Sequence, residues 1–298
     1  MTLGLGIDLG GTKIDAAVLS EEGAILFEKR VPTPETYDAI LTAIAGLVAD
    51  AVEATGADVP VGIGAPGSAS PRTGLWRNAN ILVSNKKPLA RDLEAAIGRP
   101  VRLENDANCF ALSEAYDGAG KGQGLVACLT IGTALGGGLV IDGRIRKGRN
   151  NEAAEFGHTP MPWPNESEWP LLPCFCGKKG CVEQYVSGTG LARDYERMTG
   201  QGAKGPEIVV RARSGEHQAL DALERLADRL ARLLAALTDT LDPDIFVLGG
   251  GLSHLPELVD GMPARAARYT FSGEADIAVA RAAHGEKSGV RGAARLWR

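Results

Sequence analysis

The chain is 298 residues long, and 39 of them are glycine, about twice the usual ~7% share. The glycines show no G-X-Y period and no matching excess of proline or serine, which excludes collagen and low-complexity linkers and leaves places where bare backbone is needed. The net charge of −5 comes from 32 basic and 37 acidic residues intermixed without a basic block, so no nucleic-acid partner is expected. The longest uncharged stretch, 125–141, is broken by glycines and too short for a membrane helix, so no membrane partner is expected either. No basic leader or apolar signal core precedes the first strand pattern, and a cytoplasmic protein is expected.

Alternation over Leu3–Leu9 predicts a strand, followed by the turn Gly10-Gly11-Thr12-Lys13 and strands over Ile14–Leu19 and Ala24–Val31. Apolar residues at helical spacing predict a helix over Tyr37–Ala54. A strand over Val59–Ile63 runs into Gly64-Ala-Pro66-Gly67, then come a helix over Leu89–Ile97, a strand over Val101–Leu103, and a helix opened by Asn105-Asp106 and ending near Tyr116. The theme then recurs as a strand over Leu125–Ile131, a glycine turn over 132–138, and strands over Leu139–Ile141 and Arg144–Lys147. Residues 148–190 read as one long irregular loop, a length that points to function. Beyond it lie a helix over Leu220–Leu241, a buried strand over Ile245–Leu248 entering Gly249-Gly250-Gly251, and a closing helix over Val290–Trp297. The repeated unit predicts an α/β fold of two similar domains facing each other across a cleft. The expected domains are 1–117 completed by a helix over 287–298, and 118–286 carrying the loop 148–190.

Three glycine loops follow apolar strands, and each can cradle an anion with backbone N–H groups that no Cβ obstructs. They are Gly10-Gly11-Thr12-Lys13, with Asp8 placed at the strand end to hold Mg²⁺ through water; Gly132-Thr133-Ala134-Leu135-Gly136-Gly137-Gly138; and Gly249-Gly250-Gly251. Together they suggest phosphates clamped between two hairpins, with the third loop beside the base or ribose. A P-loop is rejected, because Thr12 and Lys13 stand in the wrong order and a strand follows. The literal dinucleotide match at 62–67 is rejected because Pro66 and polar residues deny it a helix N-terminus.

Asn105-Asp106 at a strand-to-helix junction offers a carboxylate that the helix dipole keeps ionised and that can take a hydroxyl proton, while Asn105 fixes the substrate. The alternative is that one of the pair is only the helix cap. Glu155, His158 and Glu183 suit the hydroxyls of a sugar. His158, Cys174, Cys176 and Cys181 have the residue types of a closed, structural zinc site, with Gly177 and Gly180 turning the chain between ligands.

These residues resemble the ROK family within the actin-like ATPase and sugar-kinase superfamily. The motifs are Ile7-Asp-Leu-Gly-Gly-Thr-Lys13, Glu104-Asn-Asp-Ala-Asn108, Glu155-Phe-Gly-His158, Cys174 through Glu183, and Val247-Leu-Gly-Gly-Gly251, spread over nearly the whole chain. Pro66 through Gly74, Asn78-Ala-Asn80 and Pro160-Met-Pro-Trp163 look most like bacterial fructokinases of the manno(fructo)kinase type. The resemblance implies two ribonuclease H-like domains around a cleft holding ATP and Mg²⁺. It implies Asp106 as the base for the 6-hydroxyl of a hexose, with fructose favoured and N-acetylglucosamine or glucose as alternatives. It implies sugar contacts from Gly67, Asn105, Glu155, His158 and Glu183, and a homodimer. The family's repressors carry an N-terminal helix-turn-helix for which no room is expected here; a non-catalytic sugar-binding protein is the other rival. Two departures stand out. Ala134 and Ala154 occupy positions where the family usually has glycine, and either is strained if its φ is positive.

Overall fold

The computed structural model of the chain describes residues 4–298. Leu3, where the first expected strand begins, lies outside the described residues. In chain order the elements are β1 (Gly4–Leu9), β2 (Lys13–Leu19), β3 (Ile25–Pro32), α1 (Tyr37–Thr55), β4 (Val61–Ala65), β5 (Ser68–Ala69), β6 (Trp76–Arg77), α2 (Leu89–Ile97), β7 (Val101–Asn105) and α3 (Asp106–Asp117). They continue with β8 (Leu125–Ile131), β9 (Leu135–Ile141), β10 (Arg144–Ile145), α4 (Gly188–Thr199), α5 (Gly205–Arg213), α6 (His217–Leu241), β11 (Ile245–Gly249), α7 (Met262–Ala267), β12 (Val279–Arg281) and α8 (Ser288–Ala294).

Two five-stranded sheets share one plan. The first has the order β3-β2-β1-β4-β7 and the second β10-β9-β8-β11-β12. In the first, β1 pairs antiparallel with β2 and parallel with β4; in the second, β11 pairs parallel with β8 and with β12. The repeat expected from the recurring strand and turn pattern is thus present strand for strand.

The chain forms two compact units, 4–122 with 138–153 and 283–298, and 123–137 with 154–282. The expected boundaries differ at residues 138–153, which belong with the first unit, and at 118–122 and 283–286, which do as well. The glycine turn also differs. β9 starts at Leu135, so Gly136, Gly137 and Gly138 are strand residues and the turn is only 132–134. Their small size serves packing, since a Cβ on Gly137 would lie 2.2 Å from the Ala154 carbonyl oxygen and one on Gly138 2.5 Å from that of Ala107.

The core of the first unit forms from β1, β2 and β4 against α1, whose Ile40, Ile44, Leu47, Val48 and Ala51 make the buried stripe that helical spacing anticipates. Thr36 caps α1 at its start, and Gly56, with φ 65°, ends it. On the other side, α8 lies directly on bare backbone. A Cβ on Gly62 of β4 would meet the Ala293 oxygen at 1.8 Å, and one on Gly292 of α8 would meet the Cys109 oxygen of α3 at 1.7 Å. The buried Glu114 of α3 ties this C-terminal segment down, accepting from Ala283 N (2.8 Å), His284 N (3.1 Å) and Ser288 Oγ (2.7 Å).

In the second unit, α6 buries a long stripe including Leu223, Leu226, Leu230, Leu233, Leu234 and Leu237. Helices α4 and α5 occupy a region where no element is expected from the sequence. Among the described residues, no helix is long and apolar enough to cross a membrane.

Candidate functional site

The β1–β2 turn is closed by Gly10 N donating to Lys13 O at 2.9 Å, and Thr33 Oγ1 donates to Gly10 O at 2.7 Å. Neither Gly10 nor Gly11 has a positive φ. Glycine at 10 answers a close approach instead, since a Cβ there would lie 2.9 Å from Lys13 O. Gly11 and Thr12 are exposed, and Lys13 Nζ reaches Glu286 at 3.0 Å.

Asp8, at the end of β1, has the carboxylates of Asp106 and Asp15 near it and also the cations Lys13 and Arg30, whose opposing effect is smaller. Burial first, then the carboxylates of Asp106 and Asp15, push its pKa up to about 7. A carboxylate with raised proton affinity and two anionic neighbours is suited to a divalent cation. Asp106 is the first residue of α3, and its Oδ1 accepts from Ala107 N at 2.8 Å. Its pKa is raised as well. The helix dipole was expected to keep this carboxyl ionised, but burial outweighs the backbone hydrogen bonds that favour the charge.

Asn105 is the helix cap. Its Oδ1 accepts from Ala107 N (2.9 Å) and Asn108 N (3.2 Å), and its Nδ2 donates to Gly67 O (3.1 Å). The capping alternative therefore holds for Asn105, whose amide is largely engaged within the unit. Gly67 has φ 96° and backs onto the Arg77 oxygen, where a Cβ would lie at 2.5 Å.

In the second unit, Gly132, Thr133 and Gly251 line a cavity of about 770 Å³. Gly250, with φ 80°, lies so close to Ile131 that a Cβ would meet its backbone at 2.6 Å, and Gly249 ends β11 opposite Thr130. The rest of the wall comes from residues not expected at the site from the sequence: Gly188, Thr189 and Ala192 of α4, Lys204, Gly205, Pro206 and Val209 around α5, and Leu252, His254 and Leu255. Gly188 N donates to Gly132 O at 2.7 Å and Thr189 Oγ1 to Thr133 O at 2.8 Å, so α4 is fastened to the glycine turn. The signal was Ser187-Gly-Thr-Gly190: Ser187 caps α4 by accepting from Gly190 N at 2.9 Å.

His158, Cys174, Cys176 and Cys181 converge, with one ligand atom from each lying within 4.8 Å of all the others. Cys174 Sγ lies 3.6 Å from His158 Nδ1, and the Sγ atoms of Cys176 and Cys181 are 3.5 Å apart. A tetrahedron of Zn–S bonds near 2.3 Å has edges of about 3.8 Å, so the donor set and its spacing fit zinc. Gly177 (φ 87°) and Gly180 (φ 77°) make the turns between ligands. Glu155 is exposed, directly after Ala154. Glu183 is buried, and its Oε2 accepts from Leu135 N at 3.3 Å.

Ala154 has φ 66°, so the family's glycine position is occupied here by a residue with a Cβ in the left-handed region. Ala134 is not among the residues of positive φ, and strain is absent there.

The loop that carries the cysteines is anchored by a buried ionic network. Glu168, fully buried, accepts from Arg229 Nε (2.8 Å) and Arg232 Nη1 (3.0 Å) of α6, and Arg229 Nη2 also donates to Asp194 of α4 (2.8 Å). Arg232 donates further to Trp163 O at 2.8 Å.

Residues 4–298 match the model of the ROK family. An N-acetyl-D-glucosamine kinase from Vibrio atlanticus is 42% identical over 296 residues, 98% of each chain, and one from Escherichia coli is 41% identical over the same share. The ROK hexokinase of Thermus thermophilus superposes with a TM-score of 0.87 at 32% identity, covering 98% of this chain and 96% of that one. A ROK glucokinase from Streptomyces griseus, solved with glucose and AMPPNP, gives 0.80 at 37% identity, covering 99% and 98%. With two sheets of one plan and matches along the whole described chain, the protein belongs to the ROK family as one of its ATP-dependent sugar kinases, built on two actin-like α/β domains.

Proposed function

We propose that the chain transfers the γ-phosphoryl group of ATP to the 6-hydroxyl of N-acetylglucosamine. The observation that carries the choice of sugar is the 42% identity over 98% of both chains with an N-acetyl-D-glucosamine kinase. The fructose expectation gives way to that alternative, because the fragments that suggested it, Pro66–Gly74 and Pro160–Trp163, are short against a relationship over the whole chain.

In this reading Asp106 takes the proton of the attacking hydroxyl, and its raised pKa makes it a stronger base at neutral pH than an ordinary carboxylate. The turn Gly10-Gly11-Thr12-Lys13 offers backbone N–H groups to phosphate, as do Gly132-Thr133 and Gly249–Gly251. The 770 Å³ cavity takes the nucleoside, with the apolar faces of Val209 and Leu252 against the base. Asp8 would hold Mg²⁺ through water, and the ion supplies neutralisation of phosphate charge. Gly67, the remaining amide hydrogen of Asn105, Glu155, His158 and Glu183 recognise the sugar. His158, Cys174, Cys176 and Cys181 would hold zinc in a closed site whose role is to shape the loop.

The test is a coupled ADP-release assay across N-acetylglucosamine, fructose, glucose, mannose and N-acetylmannosamine. N-acetylglucosamine should give the highest kcat/KM; a higher value for fructose overturns the choice of sugar. Asp106→Asn should lower kcat by about 10²–10⁴-fold while sparing sugar binding, and near-normal turnover overturns the choice of base.

A further inference from the structure

Glu104 stands two residues before the proposed base and is 6% exposed. Both of its oxygens are committed. Oε1 accepts from Asn105 N at 2.8 Å and from Asn108 Nδ2 at 3.0 Å, and Oε2 is paired with the Lys147 ammonium. Lys147 follows β10 in the segment 138–153 of the first unit. That segment is fixed by several contacts. Ala153 N donates to Lys147 O (3.1 Å), Arg77 Nη2 donates to Asn150 O (2.9 Å) and pairs with Glu152 (3.0 Å), and Asn151 Nδ2 donates to Ala69 O (3.0 Å). A small cavity of about 40 Å³ beside the pair is lined by Glu104, Asn105, Asn108, Lys147 and Trp76, so Glu104 has space to shift if its partner is lost.

The consequence for the base is direct. Asn105 caps α3 and Asp106 opens it, so both take their position from the strand-to-helix junction that Glu104 grips. Without an opposing cation, the buried carboxylate would have to leave its site or take up a proton. Leaving would release Asn105 N and Asn108 Nδ2 together and displace the first turn of α3.

We propose that Lys147 is a positioning residue for phosphoryl transfer, holding Glu104 in place and, through it, the junction that carries Asp106. The proposal rests on the reading of Asp106 as the base. Lys147 touches neither substrate in this scheme and acts only through its ion pair.

The test compares kcat, both KM values and the melting temperature of wild type, Lys147→Met, Lys147→Arg, the double variant Glu104→Gln with Lys147→Met, and Asp106→Asn. Lys147→Met should lower kcat by about 10- to 100-fold, the penalty of a small misplacement of a reacting group, with the KM for ATP nearly unchanged. Lys147→Arg, which keeps the charge, should recover most of the loss. The double variant should be faster than Lys147→Met alone, because glutamine still accepts from Asn105 N and Asn108 Nδ2 and leaves no uncompensated charge. A kcat of Lys147→Met close to wild type overturns the proposal, as does a double variant no faster than the single one. If Lys147→Met does not fold, the double variant decides: near-wild-type kcat supports the proposal, and a tenfold loss at an unchanged melting temperature overturns it. Turnover retained in Asp106→Asn removes the base assignment itself, and the Lys147 proposal with it, and so marks that failure apart from the others.

Discussion

Asp8 should set function against stability, and the size of the effect follows from its surroundings. In the unfolded chain its carboxyl titrates near 3.8, and in the native protein burial and the Asp106 and Asp15 carboxylates raise it to about 7. Below 3.8 both states are protonated there and the group has no effect on stability. Between the two values the native state keeps a proton that the unfolded chain has lost, so stability falls as pH rises. The fall is complete above the native value and amounts to about 4 kcal/mol, of which about 1.5 kcal/mol is already lost at pH 5. Asp8→Asn removes this term. In urea unfolding without nucleotide or Mg²⁺, the variant should therefore be more stable than wild type at pH 8 by about 4 kcal/mol and much closer to it at pH 5. It should keep a smaller slope of the same sign from Asp106, which is also shifted up. Kinase turnover of the variant should be nearly abolished, since the proposed Mg²⁺ site loses its charge. Parallel pH dependence of wild type and Asp8→Asn would refute the reasoning, because it would mean that the native and unfolded carboxyls titrate alike.

Ala154→Gly should raise stability by about 0.5–1 kcal/mol, since relief of the left-handed strain at φ 66° exceeds the added chain entropy; an unchanged or lower urea midpoint would contradict this. Glu168→Ala leaves Arg229 with Asp194 and Arg232 with Asp228 as their remaining carboxylate partners and should cost about 3 kcal/mol, read from the same unfolding curves. A strong chelator should release one zinc ion per chain, lower the melting temperature and weaken sugar binding measured by calorimetry; unchanged melting and sugar affinity would remove the proposed structural zinc. Cys181→Ser should reproduce the effect of chelation, because three ligands bind zinc far less tightly than four.

The sheets were legible because both rest on a local signal repeated twice: an apolar strand, a glycine turn and a second strand. The convergence of His158, Cys174, Cys176 and Cys181 was legible because three cysteines within eight residues have few uses other than metal binding in a chain of this type. Helices α4 and α5 escaped notice for opposite reasons. α4 opens on Gly188-Thr-Gly190, which reads as loop, and its buried face includes Asp194, a charge neutralised chiefly by Arg225 and Arg229 of the distant α6. α5 shows only Ile208 and Ala212 as a buried apolar pair, too little for a periodic signal. The burial of Asp106 was equally invisible, because a desolvation penalty depends on what packs around a residue, and the sequence displays only the helix start beside it. The glycine turns expected to hold phosphate account for only part of the glycine excess. Gly62 lies where a strand and a helix backbone nearly touch and Gly292 where two helix backbones do, constraints set by partners far away in the chain. Ala154 was legible as a departure from the family pattern, but only its φ separates it from Ala134.

The fastening of residues 283–298 to the first unit has a consequence for synthesis on the ribosome. Residues 4–122 emerge first, yet the Glu114 carboxylate has no Ala283, His284 or Ser288 to accept from until more than 160 further residues have been translated. During that interval the bare backbone at Gly62 lacks α8 as its cover. The segment 154–282 of the other unit emerges complete before residue 283 does. The unit that holds residues 4–122 is therefore the later of the two to close, and a nascent chain stalled before residue 283 would display an open sheet face to the chaperones that meet it.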